Sequence, residues 1–331
     1  MRSHALQTLP RLCVVLPAYN EEEVLPITAP LFCQQIESMI DAGLVSPDSV
    51  IMYVDDGSTD ATWRIITTLC EQGDGRFCAI QQSRNRGHQA ALVAGLMESR
   101  SFADIVITAD CDGQDDIGAM TAMVQRYLEG YDVVYGVRSS RKKDSFFKRA
   151  TAQAYYKLLA CMGTETVYNH ADYRLCSKRV LDSLANFEEV NLYLRGLFPL
   201  VGFPSTQVPY ERAERVAGTS HYPLSKMLGL AFDGVTSLSV RPVRMIAFFG
   251  AVVSLVSAVG ILWAVLMALT GNAVSGWAST ICVICFFGGC QLLATGVIGE
   301  YVGKTYLEAK RRPRYVISAR AGALFSQDTR R

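Results

Sequence analysis

The chain has 331 residues, and half of them are hydrophobic. Its 32 basic and 31 acidic residues nearly cancel, which leaves a formal net charge of +1. A chain of this length holds one sizeable domain with an appendage, and its charge balance excludes the strongly basic composition of a nucleic-acid-binding domain.

Short apolar runs alternate with helical patterns over residues 11–136. Strands are predicted at residues 12–18, 49–58, 77–83, 103–110 and 132–138, and helices at residues 21–42, 60–72, 87–99 and from the fourth strand to residue 130. This alternation is typical of an α/β layer with a mostly parallel sheet.

Polar clusters follow three of these strands. Tyr19 and Glu21 follow the first, Asp55 belongs to a cluster after the second, and Asp110 and Asp112 follow the fourth. Ligands of open α/β sheets bind outside the carboxyl ends of the strands, and carboxylate oxygens suit hard cations. The sequence therefore predicts a divalent cation at Asp110 and Asp112, which would neutralise the diphosphate of a nucleotide leaving group.

Two stretches near the C-terminus, residues 245–269 and 277–299, contain no charged residue. Each exceeds the roughly 20 residues that cross a ~30 Å hydrocarbon core, and the short linker 270–276 predicts a transmembrane hairpin. The linker has no basic residue, whereas basic residues flank both stretches: Arg241, Arg244, Lys304, Lys310, Arg311, Arg312 and Arg314. This bias predicts a multi-pass protein of the cell (inner or plasma) membrane with both termini in the cytoplasm.

The predicted organisation has four parts. Residues 1–215 form a cytoplasmic catalytic domain, and residues 216–244 form amphipathic helices at the membrane interface. The two transmembrane helices follow at residues 245–299, and residues 300–331 form a cytoplasmic tail.

Three segments resemble the signature of family 2 glycosyltransferases, which have the GT-A fold: VLPAYNE at 15–21, VDDGSTD at 54–60 and DCDGQD at 110–115. Four further segments narrow the resemblance: NHADYRL at 169–175, LRG at 194–196, SHYPLSK at 220–226 and GEYVGK at 299–304. Together they are similar to polyprenyl-phosphate glycosyltransferases of the bactoprenol glucosyltransferase and dolichol-phosphate mannose synthase type. The resemblance covers residues 11–317, nearly the whole chain.

The resemblance implies a set of site residues. The base and ribose of the nucleotide sugar would contact Pro17, Tyr19, Glu21, Val54 and Asp56. Asp110, Asp112 and Gln114 would surround Mg²⁺ or Mn²⁺ and the sugar diphosphate, and Arg138 would contact phosphate. Asp172 would be catalytic together with Asp112, and the acceptor phosphate would meet Arg195, Lys226 and His221.

The chain departs from the family pattern at three of these places. Gly113 and Asp116 replace other residues after the metal motif, and we expect them to loosen the following turn. His221 stands where the family has lysine, so one cation of the acceptor site is a histidine that titrates near neutral pH.

His88 opens a predicted helix, and the sequence leaves open a substrate-side role or simple hydrogen bonding at the helix start.

The implied reaction moves a sugar from a nucleotide diphosphate to a membrane polyprenyl phosphate with inversion. The acceptor is a phosphate monoester with a second pKa of about 6, so it is already ionised and needs no strong base. UDP-glucose is the favoured donor, although N-acetylhexosamine, mannose and galactose fit the residues equally well. A homo-oligomer is left open.

Two alternatives remain at this stage. A processive polysaccharide synthase shares the core and the membrane helices but carries a Gln-x-x-Arg-Trp motif, and none of Trp63, Trp263 and Trp277 follows an arginine. A non-catalytic, lipid-binding membrane scaffold with this fold predicts eroded acids at the strand ends, and here these acids are intact.

Overall fold

The computed structural model describes residues 8–138, 170–189, 194–211, 241–270 and 276–326. Within these ranges one sheet has the strand order β7-β5-β6-β4-β1-β2-β3-β8. Its strands are β1 (Leu12–Ala18), β2 (Val50–Asp55), β3 (Phe77–Gln82), β4 (Ile105–Thr108), β5 (Val133–Arg138), β6 (His170–Ser177), β7 (Ser205–Tyr210) and β8 (Ile317–Ala321). β6 and β8 run antiparallel to their neighbours and the other pairs are parallel, so the predicted mostly parallel α/β sheet is confirmed.

Helices cover both faces of this sheet. The described helices are α1 (Leu25–Asp41), α2 (Thr62–Gln72), α3 (His88–Ser99), α4 (Ala119–Leu128), α5 (Lys178–Leu184), α6 (Leu194–Leu200), α7 (Arg241–Leu269), α8 (Trp277–Ala309) and α9 (Ala323–Ser326). α1, α2 and α4 supply buried side chains to the core on one face, whereas α3, α5 and α6 supply those on the other face.

Strand β1 shows why the strands are continuous apolar runs. Leu12, Val14 and Leu16 are buried in the core on one face, and Cys13 and Val15 are buried in the core on the other. Successive side chains of a strand point to opposite faces, so a strand that is covered on both sides has no solvent-facing position.

Strand β6 was absent from the sequence prediction, yet it shapes the carboxyl edge of the sheet. It lies between β4 and β5 and runs antiparallel to β4, with Thr108 paired to Arg174. Extending this register by two residues brings Asp172 level with Asp110. The antiparallel strand therefore begins at the edge where the parallel strands end.

The C-terminal segment returns to this sheet. Within the predicted tail, residues 300–331, strand β8 pairs antiparallel with β3 at the sheet edge. Arg320 of β8 forms an ion pair with Glu98 of α3, with 3.0 Å between Nη2 and Oε2. A Cβ at Gly322 would lie 2.8 Å from the carbonyl oxygen of Phe77, so the backbone after β8 packs closely on β3.

The long helices α7 and α8 contact each other and expose apolar side chains. In the part of the chain that the structure describes, one segment has the length and composition to cross a membrane, at Pro242–Gly260. Its mean hydropathy is 2.0, and none of it is buried. Most of the predicted interfacial segment, residues 216–244, lies outside the described residues.

Candidate functional site

The loops that follow β1 and β2 hold each other in place. Asn20 adopts a left-handed conformation with φ 54°, and its side-chain oxygen accepts a hydrogen bond from the N–H of Thr59 at 2.9 Å. The N–H of Asn20 donates to the hydroxyl of Ser58 at 3.0 Å, and the N–H of Glu21 donates to the hydroxyl of Thr62 at 2.8 Å. These bonds join the loops of the first two sequence motifs at the carboxyl edge of the sheet, where open α/β sheets bind ligands in a crevice.

Asp56 connects these loops to the loop after β3. Its two carboxylate oxygens accept hydrogen bonds from the N–H groups of Arg86 and Gly87, each at 2.8 Å. Gly57 has φ +68°, and a Cβ there would lie 2.6 Å from the carbonyl carbon of Arg84. Because only glycine suits both the left-handed conformation and this close approach, the two loops pack backbone against backbone.

The turn after β4 carries the acidic cluster. Asp112 is buried and accepts a hydrogen bond from the N–H of Gln114 at 3.0 Å, with Gly113 between them at φ +67°. Asp116 accepts from the N–H of Gly118 at 2.9 Å. In this turn Gly113 takes a left-handed conformation and Asp116 accepts at its end, and the expectation that these two residues loosen the turn stays a prediction.

Asp110 faces the crevice from the same turn, with 35 % of its side chain exposed. The His88 Nε2 atom lies 3.8 Å from its Oδ1. Desolvation in the crevice raises the pKa of Asp110 to about 6, and the charges of Asp115, Asp112 and Asp172 add to this rise while His88 opposes it. The carboxylates at this edge repel one another, as the crowding in the sequence implies.

The acidic turn offers oxygen donors, the ligand type that hard cations prefer. Among the described residues, no group of three His, Cys, Asp or Glu side chains converges closely enough to enclose a metal ion. A Mg²⁺ site needs no such group, because it commonly takes one or two carboxylates and fills its remaining positions with water and substrate phosphates. Asp110, Asp112 and Gln114 carry oxygen donors on this turn, and their role as cation ligands stays a prediction.

Asp172 lies beside this turn in a cluster of cations. Its Oδ1 accepts from Nη2 of Arg174 at 2.7 Å and from Nε of Arg195 at 3.2 Å, and its Oδ2 accepts from Nη2 of Arg195 at 3.0 Å. The His88 Nε2 atom lies 3.7 Å from the same Oδ2. Burial alone would raise the pKa of Asp172, but Arg195, His88 and Arg174 hold it well below its ordinary value of 3.8. Asp172 is therefore an ionised carboxylate whose oxygens are already engaged.

Arg174 and α6 support this cluster from below. The Arg174 side chain is 1 % exposed, and its guanidinium lies over the ring of Phe198 with its carbon 4.4 Å from the ring centroid. Its Nη1 donates to the carbonyl of Leu194 at 3.4 Å, while the N–H of Leu194 donates to Oε1 of Gln89 at 3.0 Å. Both ends of the residue before Arg195 are thus fixed.

A third group of contacts ties β5 and β7 to the acidic turn. The Tyr210 hydroxyl donates to Oδ1 of Asp115 at 2.6 Å and accepts from Nε of Arg138 at 3.4 Å. The ring of Tyr210 meets that of Tyr173 edge-on, with 5.2 Å between centroids. The Tyr210 hydroxyl therefore connects Arg138 to Asp115 of the acidic turn.

The sequence model of Glycosyl transferase family 2 matches residues 13–185, which is more than half of the chain and includes the motifs of this crevice. The chain belongs to glycosyltransferase family 2. It is a glycosyltransferase, and its mostly parallel sheet with helices on both faces is the GT-A fold that the motifs predict.

Known relatives align with nearly the whole chain. An uncharacterized glycosyltransferase of Bacillus subtilis (strain 168), YkoT, is 45% identical over 311 residues, 94% of this chain and 92% of the relative. The bactoprenol glucosyl transferase of Shigella phage SfX is 36% identical over 313 residues, 94% and 99% of the two chains. The solved structure of the mannosyltransferase PcManGT of Pyrobaculum calidifontis, in complex with GDP-Man and Mn²⁺, has 16% identity and a TM-score of 0.45 over 91% of this chain and 85% of its own.

The predicted donor-side residues of this family 2 enzyme separate into two groups. Tyr19 is 44% exposed, and Glu21 and Arg138 are partly exposed at the carboxyl edge. Val54 instead packs in the core, where its side chain would meet a Cβ placed on Gly95 at 2.9 Å. Val54 therefore offers no side chain to the crevice, because its position on β2 points it at α3. Two further residues, Pro17 and Asp56, are also buried.

The predicted acceptor-side residues of the glycosyltransferase are described only in part. Asp172 and Arg195 contact each other directly, as a shared site requires. Lys226 and His221 lie outside the described residues.

The sequence prediction missed two supports of the glycosyltransferase site. Arg174 stands two residues after Asp172, and this spacing places both side chains on one face of a strand. The signal was in the NHADYRL motif but needed a strand prediction for residues 170–177. Gln89 carried no signal, because its partner Leu194 is remote in sequence. His88 contacts Asp110 and Asp172, beyond hydrogen bonding at a helix start.

Proposed function

We propose that this enzyme transfers a hexose from a nucleotide-diphosphate sugar, with UDP-glucose favoured, to a polyprenyl phosphate, with inversion. Relatives at 36% identity over almost their full length are named bactoprenol glucosyl transferases, and bactoprenol is a polyprenol. The reaction takes place at the cytoplasmic face of the cell membrane, where a lipid phosphate and a soluble nucleotide sugar meet.

The pairing of Asp172 carries this proposal. Its oxygens face the guanidinium of Arg195 and that of Arg174, and its pKa is held well below the ordinary value, so it is poorly suited to remove a proton. A sugar hydroxyl acceptor needs a base, whereas a phosphate monoester is already ionised near neutral pH. Arg195 is 30 % exposed in side chain and forms a planar donor that matches a phosphate. Asp172 thus orients Arg195, and Arg195 aligns the acceptor oxygen.

Donor chemistry belongs to the acidic turn and its neighbours. A divalent cation, Mg²⁺ or Mn²⁺, would neutralise the leaving diphosphate when bound. Asp110, Asp112 and Gln114 would hold it, and Arg138 would contact phosphate at the end of β5. Tyr19 and Glu21 would contact the nucleotide at the other wall of the crevice.

The return of the chain to the sheet supports a membrane hairpin. β7 ends at Tyr210 and β8 begins at Ile317, and both strands belong to one sheet. Residues 211–316 must therefore cross a bilayer an even number of times. If α7 crosses it, α8 must return, which agrees with spans at residues 245–269 and 277–299, an interfacial segment at 216–244 and both termini in the cytoplasm.

A panel of radiolabelled nucleotide sugars tests the proposal. Membranes that contain the full chain are incubated with each sugar and undecaprenyl phosphate, and label is counted in the lipid fraction. We expect label from UDP-glucose in one lipid-linked sugar. Label in a polymer would favour a processive synthase, and no transfer from any sugar would favour a scaffold.

The acidic turn is tested in the same assay. Asp112→Asn should abolish turnover, and EDTA should inhibit the wild type until Mg²⁺ or Mn²⁺ is restored. Asp116→Asn is the matched control, because an asparagine oxygen still accepts from Gly118 and activity should persist. Full activity of the metal-stripped enzyme would contradict the metal assignment.

Lys226 separates acceptor from donor binding. Lys226→Ala should raise the KM for polyprenyl phosphate roughly ten- to hundredfold, since one charge-assisted hydrogen bond is lost. UDP affinity measured by calorimetry should not change. Weaker UDP binding with an unaltered lipid KM would place Lys226 on the donor instead.

A further inference from the structure

The start of α3 and the two residues before it contact both the donor side and the acceptor side of the crevice. Asp56, on the nucleotide side, accepts hydrogen bonds from Arg86 and Gly87, just before this helix. His88 is the first residue of α3, and its Nε2 atom lies 3.8 Å from Oδ1 of Asp110 and 3.7 Å from Oδ2 of Asp172. The next residue, Gln89, accepts a hydrogen bond from α6.

Gln89 accepts a backbone hydrogen bond from α6. Leu194 opens the described part of α6, and Oε1 of Gln89 accepts from its N–H at 3.0 Å. Arg174 holds the carbonyl of the same residue.

Arg195 directly follows Leu194, so the backbone at Leu194 helps to place its guanidinium. The fork of Arg195 meets Asp172 at 3.2 Å and 3.0 Å. Arg174 holds the carbonyl of Leu194 and Gln89 holds its N–H, so the peptide groups on both sides of Leu194 are held.

We propose that Gln89 is a positioning residue that sets Arg195 for the acceptor phosphate by accepting the N–H of Leu194. The expected effect on the acceptor KM rests on the proposed function. The expected effect on the backbone of α6 does not. Gln89 acts through the backbone of Leu194, whose N–H it accepts, and not through a contact with the acceptor. The segment from Arg86 to Gln89 thereby contacts Asp56 on the donor side and Leu194 on the acceptor side.

Two substitutions of Gln89 in the full-length enzyme separate the effect of its acceptor oxygen from the effect of its side-chain size. Gln89→Met keeps the size and removes the acceptor oxygen, whereas Gln89→Glu keeps an oxygen that can accept from Leu194. Gln35→Met is the control, because Gln35 also makes a tertiary side-chain hydrogen bond, to Thr121 at 2.7 Å, away from the crevice. Each variant is measured by hydrogen exchange over residues 194–200 and by kinetics with polyprenyl phosphate.

We expect Gln89→Met to speed exchange in residues 194–200 and to raise the acceptor KM roughly three- to tenfold, the effect of one lost hydrogen bond. UDP affinity should stay at the wild-type value. Gln89→Glu should restore slow exchange and bring the KM back towards wild type, and Gln35→Met should change neither quantity.

Three results would overturn the inference. Unchanged exchange in Gln89→Met would show that Gln89 does not hold α6, and faster exchange with an unaltered acceptor KM would show that it does not position Arg195. Equal KM values for Gln89→Met and Gln89→Glu would exclude the hydrogen bond as the cause. If the wild type uses no polyprenyl phosphate, the proposed function fails, and acceptor positioning falls with it whatever the exchange shows.

Discussion

The crevice buries charged side chains, whereas the C-terminal helices expose apolar ones. In the crevice, charged side chains such as Asp172 and Arg174 are buried at 9 % and 1 % exposure, and the chain itself supplies their partners. On α7, apolar side chains such as Phe248 and Leu262 are 73% and 69% exposed. A buried charge needs a partner of opposite sign, and an exposed apolar helix needs an apolar environment. Asp172 and Arg174 therefore find charge partners within the chain, whereas the apolar surface of α7 requires lipid or another apolar surface.

The largest expected effect follows from breaking the charge cluster. Asp172→Asn removes the negative charge that faces Arg174 and Arg195, so a buried guanidinium loses its compensation. Removing one partner of a buried ion pair costs about 3–5 kcal/mol. We expect this loss in the free energy of unfolding, measured by urea denaturation in detergent, together with loss of sugar transfer.

An exposed pair is the control for this substitution. Asp182 faces Arg100 at 3.8 Å with 55 % of its side chain exposed, and such pairs contribute about 0–1 kcal/mol. Asp182→Asn should keep both stability and transfer. Equal losses in the two variants would mean that the cluster is not the special feature of the crevice.

The next effect tests the C-terminal region. Leu255 is 69% exposed on α7, near the middle of the helix. Leu255→Arg should lower the fraction of protein that is integrated in membranes, because arginine at the centre of a span costs about 2.5–3.5 kcal/mol. Carbonate extraction of membranes followed by immunoblotting measures this fraction.

Leu128 supplies the comparison within the first region. It is 46% exposed on α4, in the sheet domain, so Leu128→Arg places the charge in water and should be nearly neutral. Equal membrane fractions for wild type, Leu128→Arg and Leu255→Arg would refute a membrane position for α7.

The fold was predictable where periodicity is strong. The strands β1 to β5 and helices α1 to α4 follow the predicted order, because each has a long apolar pattern and a polar end. β6, β7 and β8 were missed for a different reason. They mix polar with apolar residues, as in ISARA of β8, and they are strands only because neighbouring strands pair with them.

The site was predictable through its motifs more than through its contacts. Asp110 and Asp172 come from different motifs, and both lie within 4 Å of Nε2 of His88 because β6 runs antiparallel to β4. Buried supports such as Gln89 depend on pairs that are remote in sequence, which composition and spacing do not reveal. The direction of Val54 into the core is equally a product of the strand register.

The smallest predicted effects compare two tyrosine hydroxyls of the crevice, one bonded to a carboxylate and one to a backbone carbonyl. Tyr210→Phe removes the hydroxyl that donates to Asp115 and accepts from Arg138, and leaves the ring against Tyr173. Hydrogen bonds to charged groups contribute about 1.5–3 kcal/mol, so we expect a stability loss in this range. Since Arg138 also loses a contact, the Kd of the nucleotide diphosphate should rise in calorimetry.

Tyr173→Phe tests whether charge makes the difference. The Tyr173 hydroxyl donates to the neutral backbone carbonyl of Asp116 at 2.8 Å, and such a bond contributes only about 0.5–1.5 kcal/mol. Its loss should therefore be smaller than that of Tyr210→Phe and should leave nucleotide affinity unchanged, because Tyr173 makes no contact of this kind with Arg138. If both substitutions cost the same and neither alters nucleotide binding, the Tyr210 hydroxyl contributes to stability alone. A larger loss with weaker nucleotide binding in Tyr210→Phe alone would place this hydroxyl with the carboxylates of the crevice.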